Sequence, residues 1–270
     1  AAVSSSSYGY FGGGSPNSDT IDRIDFSNET TSPVTATLSQ GRSGLAAVSS
    51  SSYGYFGGGY TTPPQTYYDT IDRIDFSNET TSTPGNNLPQ EREFLAAVSS
   101  SSYGYFGGGQ NPAESPSYSD TIDRIDFSNE TTSAPGNNLS QARYELAAVS
   151  SSSYGYFGGG YFSPPPTSVG TIDRLDFSNE TTSPVTAILP QDRSLLAGTS
   201  SSSYGYFGGG KENATFRNTV DRIDFSNETT SVPDNNLSSF RYSFATVSSS
   251  SYGYFGGGRP ASGETVDIVE

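Results

Sequence analysis

The reading turns on Tyr103-Gly104-Tyr105-Phe106-Gly107-Gly108-Gly109, followed after a loop by Asp123-Arg124-Ile125-Asp126-Phe127-Ser128-Asn129-Glu130-Thr131-Thr132-Ser133. The first string also starts at Tyr8, Tyr53, Tyr154, Tyr204 and Tyr252. The second also starts at Asp22, Asp72, Asp173 and Asp221, with Leu175 in place of one Ile. A single Arg keeps step at Arg42, Arg92, Arg143, Arg193 and Arg241. Copies of the first string lie 45 to 51 residues apart, and a period near 40–50 signals a propeller, solenoid or array. The chain divides into units 1–45, 46–95, 96–146, 147–196 and 197–244, with a partial unit 245–270, and reads as a single repeat domain.

Each unit reads as strands. Leu95-Ala96-Ala97-Val98 is a short apolar run, and Ser99 to Ser102 forms a polar turn. The aromatic strand Tyr103–Phe106 is closed by glycines, and a variable loop leads to Ile122–Phe127. There, Ile122 and Ile125 are separated by two charged residues, so strict alternation fails and either a bulge or a buried salt link is expected. Ser128-Asn129-Glu130-Thr131 has turn chemistry, and a Thr-rich strand follows before Pro135. Helix signals are nearly absent. Four short strands in about 48 residues make one propeller blade. The expected fold is all-β, with about six blades of four short antiparallel strands and an incomplete last blade.

Composition narrows the function. Leu, Ile, Val and Phe together fall below about a fifth of the chain, which with a net charge of −15 matches the disorder rule. Nineteen tyrosines offset this, because buried tyrosine fills a core when its hydroxyl finds a partner. His and Cys are absent, as are Met and Trp. That excludes disulfides, thiolate or imidazole metal sites, cysteine nucleophiles and histidine bases. The acidic balance argues against nucleic acid, and no apolar run is long enough to span a membrane. Ala1 stands where an initiator Met would, so the sequence reads as a processed form or a fragment.

The order "Arg, small apolar strand, turn, aromatic strand ending in Gly-Gly, loop, Ile-Asp-x-x-Asp-Phe" resembles the kelch repeat of β-propellers over the whole chain. It is also similar to kelch-like repeat proteins predicted from phages and aquatic bacteria. By that resemblance Gly107-Gly108 is the double glycine and Arg92 precedes the innermost strand. Asp126 precedes the hairpin to the outer strand, whose usual tryptophan is missing in every unit.

Ten of the 13 basic residues occupy two places per unit: Arg23, Arg73, Arg124, Arg174 and Arg222, and Arg42, Arg92, Arg143, Arg193 and Arg241. Their expected partners are the periodic aspartates, including Asp25, Asp75, Asp126, Asp176 and Asp224. Five near-identical environments argue for scaffolding rather than catalysis, since acid–base work needs carboxylates whose pKa values are pushed apart. No catalytic residue, metal site or cofactor is expected. An enzyme would need a tyrosine or carboxylate set found in one place only, and candidates such as Glu114, Glu212 and Glu264 are single and loop-borne. Asn28, Asn78, Asn129, Asn179 and Asn227 sit in Asn-Glu-Thr, and Asn138, Asn213 and Asn236 also fit the N-glycosylation pattern. The same strings serve equally as hairpin turns.

In an up-and-down blade the Ser turns and Ser-Asn-Glu-Thr turns share one face. The opposite face gathers the loops Ser15–Asp19, Tyr60–Asp69, Gln110–Asp120, Tyr161–Gly170, Lys211–Asn218 and Arg259–Glu264. These carry Tyr60, Tyr67, Tyr68, Tyr118, Tyr161, Phe162 and Phe216, expected to be exposed contacts to a protein or glycan partner. The partial unit leaves several outcomes open: a ring with a short last blade, a longer parent chain, subunits that pair edges, or an open stack. The expectation is a non-enzymatic module outside the cell or on a virion surface, attaching through its variable loops. The alternative is a glycosylated extracellular filament, self-assembled through the incomplete blade.

Overall fold

The structure is a computed structural model that describes residues 1–163, 167–260 and 267–270. It is all-β. Among the described residues there is no helix, hence none long and apolar enough to cross a membrane.

Five four-stranded antiparallel sheets follow one another as propeller blades. In the third, Ala96–Ser99, Tyr103–Gly107, Ile122–Asp126 and Thr132–Ser133 pair in that order. The chain thus makes five full blades rather than six. The sixth sector holds Ala245–Ser248 paired with Gly253–Gly256, plus a single bridge from Gly256 to Val269. The ring nonetheless closes. Ser248 N donates to Ser4 Oγ at 3.1 Å, as Ser49 N does to Ser99 Oγ at 3.0 Å between neighbouring blades. Phe26 of the first blade stacks on Tyr254 of the sixth sector at 5.4 Å.

The core lies between blades. Tyr103 and Tyr105 face the following blade, while Gly104 and Phe106 face the preceding one, as period-two geometry requires. Each apolar cluster therefore mixes two sheets: Ala46, Val48, Tyr55, Ile71, Leu88 and Leu95 pack with Phe106 and Ile125 of the next. Burial on both faces explains why alternation fails in Ile122–Asp126. The register there runs without a bulge, so the charged interruption is a buried salt link. Glycine is required where blades approach: a Cβ on Gly57 would come within 2.9 Å of the Phe106 ring.

That salt link corrects the expected Arg partners. Arg42, Arg92 and Arg193 pair with Asp72, Asp123 and Asp221, and Arg143 pairs with Asp173 at 2.6 Å, all buried. The partner is thus the first Asp of Asp-Arg-Ile-Asp. The second, at Asp25, Asp75, Asp126, Asp176 and Asp224, instead accepts from the backbone N–H and hydroxyl of the Ser two residues on. These Ser hydrogen bonds hold the five carboxyls below the usual range. Each buried Arg also belongs to the sheet after the unit it was assigned to: Arg42 lies in residues 1–45 but clamps the second blade.

Candidate functional site

Each buried guanidinium is a clamp at the mouth of a loop. Arg42 Nη1 donates to Gly58 O at 2.7 Å and Thr70 O at 2.8 Å, the two points where the loop of the second blade leaves and re-enters the sheet. Arg92 does the same to Gly108 O and Thr121 O. In the sixth sector Arg241 holds Gly257 O and Ile268 O and pairs with Glu270 at 2.5 Å. Burial lowers the pKa of Arg42, Arg92, Arg143 and Arg193, and it raises that of Asp123 and Asp221. Desolvation thus works against both partners, while the fixed geometry lets the loops beyond the clamp differ.

The second Arg set pairs with neither Asp. Arg23, Arg73, Arg124 and Arg174 each bind the turn glutamate of the following blade, Glu79, Glu130, Glu180 and Glu228, at 2.7–3.0 Å. The same glutamates accept the hydroxyls of Tyr10, Tyr55, Tyr105 and Tyr156 at 3.0–3.1 Å. Burial, reinforced by the glutamate, raises each of these tyrosine pKa values. Each Arg also lies over the first Tyr of its own blade, 4.6–4.9 Å from the centroid. The turn glutamate therefore latches one blade to the next. Sequence reasoning assigned it only to a turn, because its partners belong to another repeat.

On this uniform face the Ser turn is held by a hydroxyl: Ser50 Oγ accepts from Tyr53 N. Asn28 Oδ1 accepts from the N–H and hydroxyl of Thr30, and Asn78, Asn129, Asn179 and Asn227 repeat this. All five are exposed, as are Asn138, Asn213 and Asn236. The repeated sequons therefore have defined turn geometry and solvent access.

The opposite face differs from the expected fringe of exposed aromatics. None of the seven is in the open. Tyr67 is 8 % exposed, and Tyr60, Tyr68, Tyr118, Tyr161, Phe162 and Phe216 are half-buried. The rings cover one another: Tyr118 stacks on Tyr144 at 5.2 Å, Phe216 on Tyr242 at 5.0 Å, and Tyr161 meets Tyr144 edge-on. What the face exposes is the loop tips, such as Thr62-Pro63-Pro64-Gln65 and Pro112–Pro116. Glu114 is exposed, and Glu212 pairs with Arg217. Glu264 lies outside the described residues, as do Thr265 and Val266.

A feature absent from the sequence reading sits where the innermost strands begin. Gly44, Phe94, Glu145, Leu195 and Ser243 all have φ between 52° and 67°. They form a chain of hydrogen bonds around the axis: Phe94 N to Gly44 O, Glu145 N to Phe94 O, Leu195 N to Glu145 O, and Ser243 N to Leu195 O. Just before them comes Ser43, Glu93, Tyr144, Ser194 or Tyr242, so this inner rim is as diverse as the loops. Glu93 is 2 % exposed, and burial pushes its pKa up to about 7. Oε1 accepts from Gln110 Nε2 at 2.9 Å, while Oε2 finds no partner among the described residues. Along the axis, four Ala-Val-Ser segments together with Gly198-Thr199-Ser200 and Thr246-Val247-Ser248 line a cavity of roughly 200 Å³. Among the described residues no three Asp or Glu side chains come together as a metal cluster.

No protein-family model matches the chain, and no curated protein matches it.

Proposed function

We propose that the protein is a non-enzymatic binding module of the kelch type, working outside the cell or on a virion surface and attaching to a protein or glycan through its variable-loop face. The observation that carries this reading is the clamp: in every sector after the first, one buried Arg holds the ends of a loop whose length and sequence then change from blade to blade. Repeat scaffolds diversify binding surfaces in this way. The surroundings of Arg92, Gly107-Gly108 and Asp126 support the kelch likeness, with the missing outer-strand tryptophan as its departure. The exposed Asn-Glu-Thr turns suit an exported protein, where such acceptors are glycosylated.

The test is binding to a printed panel of purified oligosaccharides, comparing the wild-type chain with Tyr68→Ala/Phe162→Ala. Loss of two half-buried aromatic contacts should weaken any bound glycan by about 30-fold or more, with the fold retained by circular dichroism. Unchanged binding would remove this face from the account.

A further inference from the structure

The Ser turns carry more serine than their geometry needs. In each turn the first Ser does the structural work. Ser151 Oγ accepts from Ser153 N and Tyr154 N and donates to Tyr154 O, and Ser50 and Ser201 repeat this. The two that follow, Ser152-Ser153 and Ser202-Ser203, are exposed, and their hydroxyls make no hydrogen bond among the described residues. Turn tips take Asn, Asp, Gly or Ser alike. Yet both tip residues are Ser in all six turns, at 6–7, 51–52, 101–102, 152–153, 202–203 and 250–251. Other exposed positions of the same units have drifted: Thr35 and Thr37 correspond to Gly85 and Asn87, and Ser39 to Pro89. Copying of one ancestral unit would leave both kinds of position equally alike, so the constant tips have a duty that the fold does not supply.

That duty has a place. Between the fourth and fifth blades, Ser152, Ser153 and Tyr154 on one side and Ser203, Tyr204 and Asp224 on the other line a groove of roughly 430 Å³, the size of a small-molecule site. Asp224 Oδ1 accepts from the Ser226 N–H and hydroxyl at 2.8 and 2.6 Å, which leaves Oδ2 to accept from a ligand. Both tyrosines are half-buried, each with an Arg over one ring face. The same residue types recur at five junctions, including the closing one, where Phe26 stacks on Tyr254.

We propose that each of these grooves binds a neutral sugar residue, so that the uniform face is a multivalent glycan-binding surface separate from the variable loops. A sugar ring offers adjacent hydroxyls that donate and accept at once. They match the unengaged Ser hydroxyls and a carboxylate oxygen that takes sugar O–H groups, while a Tyr ring receives the sugar's C–H surface. An anionic ligand is disfavoured, because the chain carries a net charge of −15 and the groove presents Asp224. Each groove is shallow and wet, so affinity comes from several grooves engaging one branched or polymeric glycan. The proposal does not rest on the loop-face reading.

The experiment dialyses the unglycosylated chain to equilibrium against radiolabelled methyl glycosides of mannose, galactose, fucose and N-acetylglucosamine. At least one should saturate with a dissociation constant of about 1 mM, with five molecules bound per chain, one for each complete junction. The same sugar on a soluble polymer should bind about 10²-fold tighter or more. Ser203→Arg, which fills the groove between the fourth and fifth blades, should lower the count by one. Ser7→Arg/Ser52→Arg/Ser102→Arg/Ser153→Arg/Ser203→Arg should abolish binding, with the fold checked by circular dichroism. Tyr68→Ala/Phe162→Ala, on the opposite face, should change neither count nor affinity. No saturation by any of the four glycosides overturns the proposal, as does saturation at one molecule per chain or a count indifferent to the Arg variants. Loss with Tyr68→Ala/Phe162→Ala but not with the Arg variants would overturn it too, and would place the sugar on the loop face.

Discussion

Arg143→Ala should lower the unfolding free energy by about 3–5 kcal/mol, because it leaves the buried Asp173 carboxylate without its counter-charge. The guanidinium is fully buried and bonds Thr171 O and Phe157 O as well as Asp173. Removing it therefore also strands carbonyls at the mouth of the fourth loop. Replacing both partners, as Arg143→Met/Asp173→Leu, should recover most of the loss, since a buried ion pair is worth little over a well-packed apolar pair. The chain supplies an internal control. Asp22 occupies the position of Asp173 in the first blade but is exposed, and Asp22→Asn should stay within about 0.5 kcal/mol of wild type. Urea denaturation measures all three. Equal effects at Asp22 and Arg143 would mean that the clamps are not buried.

Glu93→Gln should stabilise the protein at pH 8 by about 2–3 kcal/mol and change little near pH 4.5. The folded Glu93 carboxyl keeps its proton up to about pH 7, against an ordinary value of 4.5, because burial penalises its charge. Between those values the folded state binds the extra proton. Stability from this group is therefore complete below pH 4.5 and is lost as pH rises through 7. Glutamine preserves the shape and the contact with Gln110 while removing the charge. Thermal denaturation of both proteins at the two pH values checks this. A Gln variant no more stable at high pH would show that Glu93 is hydrated.

The strands were legible because the repeat isolates them: Tyr-Gly-Tyr-Phe and Ile-Asp-Arg-Ile-Asp recur while the loops do not. Their charged interruption also announced a salt link. The choice between Asp123 and Asp126 was not legible. Residues three apart on a strand face opposite ways, and only the register shows which one meets the Arg. The Glu130 latch was hidden for a related reason, since its partners, Tyr55 and Arg73, belong to the preceding blade. The loop aromatics misled in the other direction. A Tyr among prolines reads as exposed, but Tyr118 has Tyr144 to cover it, and that residue lies in a linker whose path depends on the whole ring. Closure carries no local signal at all, because Ser4 and Ser248 are ordinary last residues of their innermost strands until the sixth sector meets the first.

That meeting gives the most direct test. The chain has no cysteine, so Ser4→Cys/Ser248→Cys introduces a unique thiol pair at residues joined by a 3.1 Å hydrogen bond. A closed ring predicts a bridge within one chain on mild oxidation, seen as a faster-migrating monomer on a non-reducing gel. An open stack of sheets about 10 Å apart would hold the two ends several sheets apart, and free thiols or cross-linked dimers alone would contradict the ring.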